Sequence, residues 1–195
     1  MGWAAALLKC RNFKMILIVN MCGKSKRFCI KHLCDCIKAL GHEFVLVENV
    51  EQLRALKKRP RGIVLSGSPI RFTRAISPGA MQRVLAGVHA HLRFPTVPVL
   101  GICFGFQLLN LLYGGSIRPF GRLVCERHDD LEYCFNDYID RVGDGFAVKK
   151  WVTVDGVRLP CAVARGLITG YLFHSEATDE DRHGYIARWV ARCRP

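Results

Sequence analysis

Three residues of this chain combine into one kind of chemistry. Cys103 lies at the centre of Gly101-Ile102-Cys103-Phe104-Gly105. An apolar run over residues 97–102 precedes it, and a helical apolar pattern over residues 106–113 follows, stopped by Gly114-Gly115. A glycine two residues either side of a central Ser or Cys is the pattern of a strand that turns sharply into a helix. So tight a turn forces the central residue into a strained backbone conformation, and side chains two positions away would collide. The sulfur then projects at the carboxyl end of a strand, over a helix N-terminus whose unpaired N–H groups favour the thiolate, the nucleophilic form. The backbone N–H of Phe104 points where an oxyanion would form. Cysteine is also a common buried residue, so the motif needs partners before it implies catalysis.

Gly170-Tyr171-Leu172-Phe173-His174-Ser175-Glu176 offers them. His174 is a candidate general base, and Glu176, two residues on, projects from the same side of an extended segment and can orient the ring. The other histidines (32, 42, 89, 91, 128 and 183) have no comparable setting. Residues 62–69, GIVLSGSP, read as a strand ending in a small-residue turn, where Gly67 or Ser68 could present a second oxyanion N–H.

The elements that must hold these groups follow from periodicity. Strands are predicted at residues 14–20, 43–49, 62–66 and 97–102. They alternate with helices at 25–40 (closed by Gly41), 50–58 and 79–92, and a further helix follows the elbow. This alternation specifies an α/β, doubly wound, mostly parallel sheet, with sites at the carboxyl ends of its strands. After Ser116 the segments shorten. Strands at 117–120, 123–125, 132–135, 146–154, 163–164 and 168–173, split by turn signals such as Gly143-Asp144-Gly145 and Asp155-Gly156, predict an antiparallel section. Residues 174–178 read as a loop. A helix over 179–194, with Ile186, Trp189 and Val190 facing in, closes the chain.

Composition sets the bounds. A chain of 195 residues, 50% hydrophobic and 23% charged, has the balance of one globular domain with an ample core. No apolar run reaches the ~18 residues that span a bilayer. Residues 1–8 are too short and lack the basic start of a signal peptide, and Ala6 does not suit myristoylation at Gly2. A soluble, cytoplasmic protein is predicted. Of ten cysteines, none forms a C-x-x-C pair. A reducing compartment argues against disulfides. Cys29, His32, Cys34 and Cys36 cluster on a predicted helix without the spacing of a metal site, so no metal is predicted. The net charge of +13 is scattered, with one short run at residues 57–61. A solvated basic surface, or one facing an acidic protein, fits it better than nucleic-acid binding.

Together, residues 97–109 (VPVLGICFGFQLL), residues 173–176 (FHSE) and the supporting LSGSP at 65–69 resemble the class I glutamine amidotransferases, over about residues 14–190. The texture is nearest the amidotransferase subunit or domain of GMP synthetase. The resemblance implies a flavodoxin-like amidotransferase domain over 14–195 behind an extension at 1–13. It implies Cys103 as nucleophile, His174 as base and acid, Glu176 as orienting carboxylate, and Phe104 with Ser68 or Gly67 as oxyanion donors. Gln107 would help hold the substrate, L-glutamine. It further implies hydrolysis without a cofactor, and ammonia passed to a separate synthetase chain, because 195 residues leave no room for an ATP-pyrophosphatase domain. A γ-glutamyl hydrolase acting alone, or a non-catalytic module of the same fold, remain alternatives. Three departures stand out. Ser68 replaces the second Gly of Gly-Gly-Pro, with strain if that position needs positive φ. Ser175 replaces the Pro of His-Pro-Glu. Asn136-Asp137 occupies a position where the family carries a His-containing loop.

Overall fold

The computed structural model describes residues 15–23, 27–177 and 184–193. The predicted extension over 1–13 lies outside them. Its first strand, β1 (Met15–Val19), is apolar at every position and buried at every position, because it packs on both faces. Ile16 and Ile18 enter one core, Leu17 and Val19 the other. β1 pairs in parallel with β2 (Glu43–Val47) and β3 (Gly62–Leu65), and β3 with β4 (Val99–Ile102). The crossovers are α1 (Arg27–Ala39), α2 (Val50–Arg54) and α3 (Pro78–Arg93). α2 starts at an Asn49 cap whose side chain accepts the Gln52 N–H, and α3 at a Ser77 cap followed by Pro78.

Two corrections to the expected antiparallel section matter for function. First, β9 (Ile168–Tyr171) is the fifth parallel strand. It pairs with β4 in the register Ile102↔Tyr171, and only its other edge meets an antiparallel neighbour, β8 (Val157–Arg165). β7 (Ala147–Val154) completes the order β2-β1-β3-β4-β9-β8-β7. The two-residue turn Asp155-Gly156, both at positive φ, joins β7 to β8 as the sequence signal suggested. Only residues 163–164 of β8 read as a strand, since Pro160 interrupts its pattern.

Second, three predicted short strands are two long ones. β5 (Ser116–His128) and β6 (Leu131–Arg141) form a separate two-stranded ribbon. Its register shifts between Pro119 and Val124, around Gly121 at φ +87°, so the Pro and Gly that read as breaks are an irregularity within one strand. Asp129 and Asp130, both at positive φ, make the tight turn. The ribbon's Val124, Tyr133, Phe135 and Ile139 share the core of Ile16, Ile18 and Leu100 with the last helix, α5 (Tyr185–Ala191). α5 begins after Gly184 at φ +61°. Ile186, Trp189 and Val190 face inward, and the earlier part of the predicted helix lies outside the described residues. None of the described helices is long and apolar enough to cross a membrane.

Candidate active site

β4 stops at Ile102, and α4 (Phe104–Leu112) starts two residues later. Cys103 makes the whole turn, at φ 48° and ψ −105°. The helix therefore begins before residue 106, where its apolar pattern starts. A Cβ on Gly101 would stand 2.7 Å from the Phe106 nitrogen, and one on Gly105 would press into the Leu65 backbone of β3. Both glycines are thus required by close approach. The Phe104 N–H, in the first turn of α4, has no acceptor within its own helix.

Parallel pairing of β4 and β9 carries His174 to Cys103. The Cys103 N–H donates to the Tyr171 carbonyl at 2.7 Å, and three residues later the chain reaches His174. There it turns rather than continuing extended, with the Ala177 N–H donating to the His174 carbonyl. The turn brings Glu176 back to the ring, with Nδ1 and Oε1 2.9 Å apart. The His174 N–H donates to the Glu132 carbonyl of β6. All three side chains are buried, at 4% exposure for Cys103, 8% for His174 and 2% for Glu176. Burial alone would lower the His174 pKa. The Glu176 carboxylate, the hydrogen bond with Cys103 and the bond with Glu176 outweigh it and hold the imidazole well above its ordinary value. Among the described residues Glu176 Oε2 has no hydrogen-bond partner, so this carboxylate is committed to the imidazole through one oxygen.

The loop after β3 lies on the same spot. A Cβ on Gly67 would sit 2.8 Å from His174 Cε1 and 3.7 Å from Cys103 Cβ. Only a glycine lets this backbone approach so closely. Ser68 is not among the non-glycine residues at positive φ, so no strain follows from replacing a glycine there. Its hydroxyl instead donates to the Met21 carbonyl at 2.8 Å and accepts the Ile70 N–H at 3.1 Å, tying the loop down.

A cavity of about 210 Å³ opens here, lined among others by Ser68, Cys103, Gln107, Cys134 and Asp137. Gln107, buried, donates through Nε2 to the Asp137 carbonyl at 2.6 Å, fixing α4 against β6. The Cys103 thiol donates to the Cys134 carbonyl at 3.3 Å. Asn136 and Asp137 belong to β6, not to a loop. The Asp137 carboxylate, 2% exposed, accepts from Arg71 Nε (2.9 Å) and Nη2 (2.7 Å) and from the Thr73 hydroxyl (2.8 Å). This clamp between the 67–77 loop and the ribbon went unread in the sequence. Its signal was an acidic residue at an inward position of the alternation Leu131, Tyr133, Phe135, Asp137, Ile139, legible only once β6 is taken as one strand. Among the described residues, no three His, Cys, Asp or Glu side chains group as metal ligands.

The family profile described as "Glutamine amidotransferase class-I" matches residues 27–185. A GMP synthase [glutamine-hydrolyzing] of Helicobacter pylori (strain HPAG1) is 26% identical over 161 residues, covering 73% of this chain and 28% of that protein. Another, of Proteus mirabilis (strain HI4320), is 37% identical over 100 residues, covering 48% and 17%. The chain thus spans less than a third of the length of these curated relatives. A crystal structure of a protein assigned as a GMP synthase subunit from Thermoplasma acidophilum superposes with a TM-score of 0.66 at 18% identity, covering 93% of this chain and 94% of that one.

Proposed function

This chain belongs to the class I glutamine amidotransferases, and from that premise we propose that it hydrolyses L-glutamine to glutamate and ammonia through a γ-glutamyl thioester on Cys103. The observation that carries this reading is a cysteine held at φ 48° beside the same Gly67 backbone that an imidazole packs against, with a buried carboxylate orienting that imidazole. With Nδ1 turned to Glu176, Nε2 is left for the sulfur. The Cys103 sulfur attacks the side-chain amide carbon while His174 holds the thiol proton. The oxyanion forms beside the N–H groups of Phe104 and of Ser68 or Gly67. Collapse expels the amide nitrogen as ammonia, protonated by His174. Water then gives a proton to His174, attacks the thioester and frees glutamate, returning the thiol. Gln107, in the cavity wall, helps hold the substrate.

We further propose that the ammonia passes to a separate chain with ATP-pyrophosphatase activity, together making a GMP synthase. The names of the matched relatives and of the superposed protein support this reading. The test is intact mass after exposure to a diazo-ketone analogue of glutamine. One adduct on the wild type and none on Cys103→Ala is expected. An equal adduct on Cys103→Ala would overturn the assignment, as would no adduct on the wild type both alone and with a GMP synthase ATP-pyrophosphatase chain. Glutamine-dependent GMP formation by the mixture, lost in Cys103→Ala while ammonia-dependent formation persists, is the expected result for the partner.

A further inference from the structure

The ribbon against the candidate site carries two cysteines that the proposed hydrolysis leaves unused. Cys125 on β5 and Cys134 on β6 stand directly opposite in the register, between the pairs Val124↔Phe135 and Glu126↔Tyr133. Val124, Tyr133 and Phe135 are core residues, so the register cannot slip without expelling them. Opposed antiparallel residues have Cα atoms about 4.5–5.5 Å apart, inside the span of about 4.4–6.8 Å that a disulfide bridges. The two sulfurs are 2.8 Å apart, less than an ångström beyond a bond of about 2.05 Å. Cys125 is exposed, open to an oxidant in solvent. By contrast Cys22, Cys34, Cys161 and Cys193 are buried, and burial raises the thiol pKa of Cys34, Cys161 and Cys193.

We propose that Cys125 and Cys134 are a reversible dithiol–disulfide couple at the edge of the Cys103 cavity, whose wall includes Cys134, with a low-molecular-weight disulfide as its oxidant. The Cys125 thiolate attacks one sulfur of that disulfide, forming a mixed disulfide and releasing one small thiol. The Cys134 thiolate then attacks the Cys125 sulfur, closing the internal bond and releasing the second small thiol. The protein gives up two electrons, the small disulfide takes them, and the two protein protons end on the released thiols. Cys134 lines the cavity beside Cys103, and its carbonyl accepts the Cys103 thiol. Oxidation therefore places a covalent tie across the ribbon at the residue that touches the candidate nucleophile. The couple is an exchanging one, the form in which disulfides occur where glutathione is reduced.

The test needs no substrate and does not rest on the proposed glutamine chemistry. The full-length protein is equilibrated with oxidised glutathione, acid-quenched, alkylated and analysed by intact mass and peptide mapping. The expected result is loss of two hydrogens, a linked pair of peptides holding Cys125 and Cys134, an alkylated Cys103, and full return of both thiols in reduced glutathione. In Cys125→Ser the loss of two hydrogens should vanish and a glutathione adduct appear on Cys134. The wild-type map decides the matter even if that variant folds poorly. A bridge between other cysteines, a glutathione adduct persisting on wild-type Cys125 or Cys134 without internal closure, or no oxidation of either would overturn the proposal.

Discussion

Replacing Cys103 by glycine should stabilise this protein relative to replacing it by alanine, the reverse of the usual order. Cys103 sits at φ 48° with ψ −105°, whereas the left-handed well open to L-residues has ψ of about +30 to +60°. The strain therefore belongs near the upper end of the range for such residues, about 3 kcal/mol. Alanine keeps the Cβ and with it the strain; glycine releases it. Against glycine stand the greater entropy of its unfolded chain, about 0.4–1 kcal/mol, and the loss of one buried carbon, about 0.8 kcal/mol. Glycine should remain ahead by about 1.5 kcal/mol, and each kcal/mol is worth about 2–4 °C in Tm for a chain of this size. Urea denaturation of the two variants, with equal m-values, reads the difference directly. Gln82, exposed in the second turn of α3, supplies the control. There glycine should be less stable than alanine by about 1 kcal/mol. If Cys103→Ala equals or exceeds Cys103→Gly in stability, the turn does not hold its strain at Cys103.

Two further perturbations address the groups around the cysteine. The His174 pKa lies well above the usual imidazole value in the folded protein, with Glu176 as the leading raising influence against burial. The stability this supplies is fully present below the unfolded pKa of about 6.5 and is lost as pH rises through the folded value. The Tm gap between wild type and Glu176→Gln should accordingly be widest just below pH 6.5 and narrow steadily towards alkaline pH; a gap independent of pH across that span would refute the coupling. Arg71→Met leaves the Asp137 carboxylate buried with, among the described residues, only Thr73 as hydrogen-bond partner. It should cost about 3 kcal/mol in urea denaturation, at the lower end of the range for a broken buried pair because Arg71 is partly exposed. Adding Asp137→Leu should recover most of that loss, and a single-variant cost within experimental error of zero would mean that the clamp carries no stability.

The electrostatics of the site explain why burial and reactivity coexist here. A buried imidazole would ordinarily lose its proton, and a buried carboxylate would ordinarily need several donors. The 2.9 Å contact between His174 and Glu176 meets the first demand and gives the carboxylate one bonded oxygen. The backbone of β6 adds the Cys134 carbonyl as acceptor of the thiol, and the Gly67 loop approaches the histidine and cysteine without a side chain.

What the sequence determined by itself is local. A strand buried on both faces shows as an unbroken apolar run, which is why β1 and β4 were legible. A turn that excludes side chains shows as Gly101 and Gly105 around Cys103, and Asp155-Gly156 marks a hairpin turn. What only the tertiary structure decided is pairing. β9 lies parallel beside β4, some seventy residues earlier in the chain, and nothing in an apolar segment states which edge it will join. That pairing, with the turn after it, brings His174 and Glu176 to the sulfur. Likewise the fusion of short segments into the β5–β6 ribbon, which buries Asp137 against Arg71 and sets Cys125 opposite Cys134, depends on register. Register is fixed by packing against a core contributed by distant elements, whereas periodicity records only that a face is buried, not what buries it.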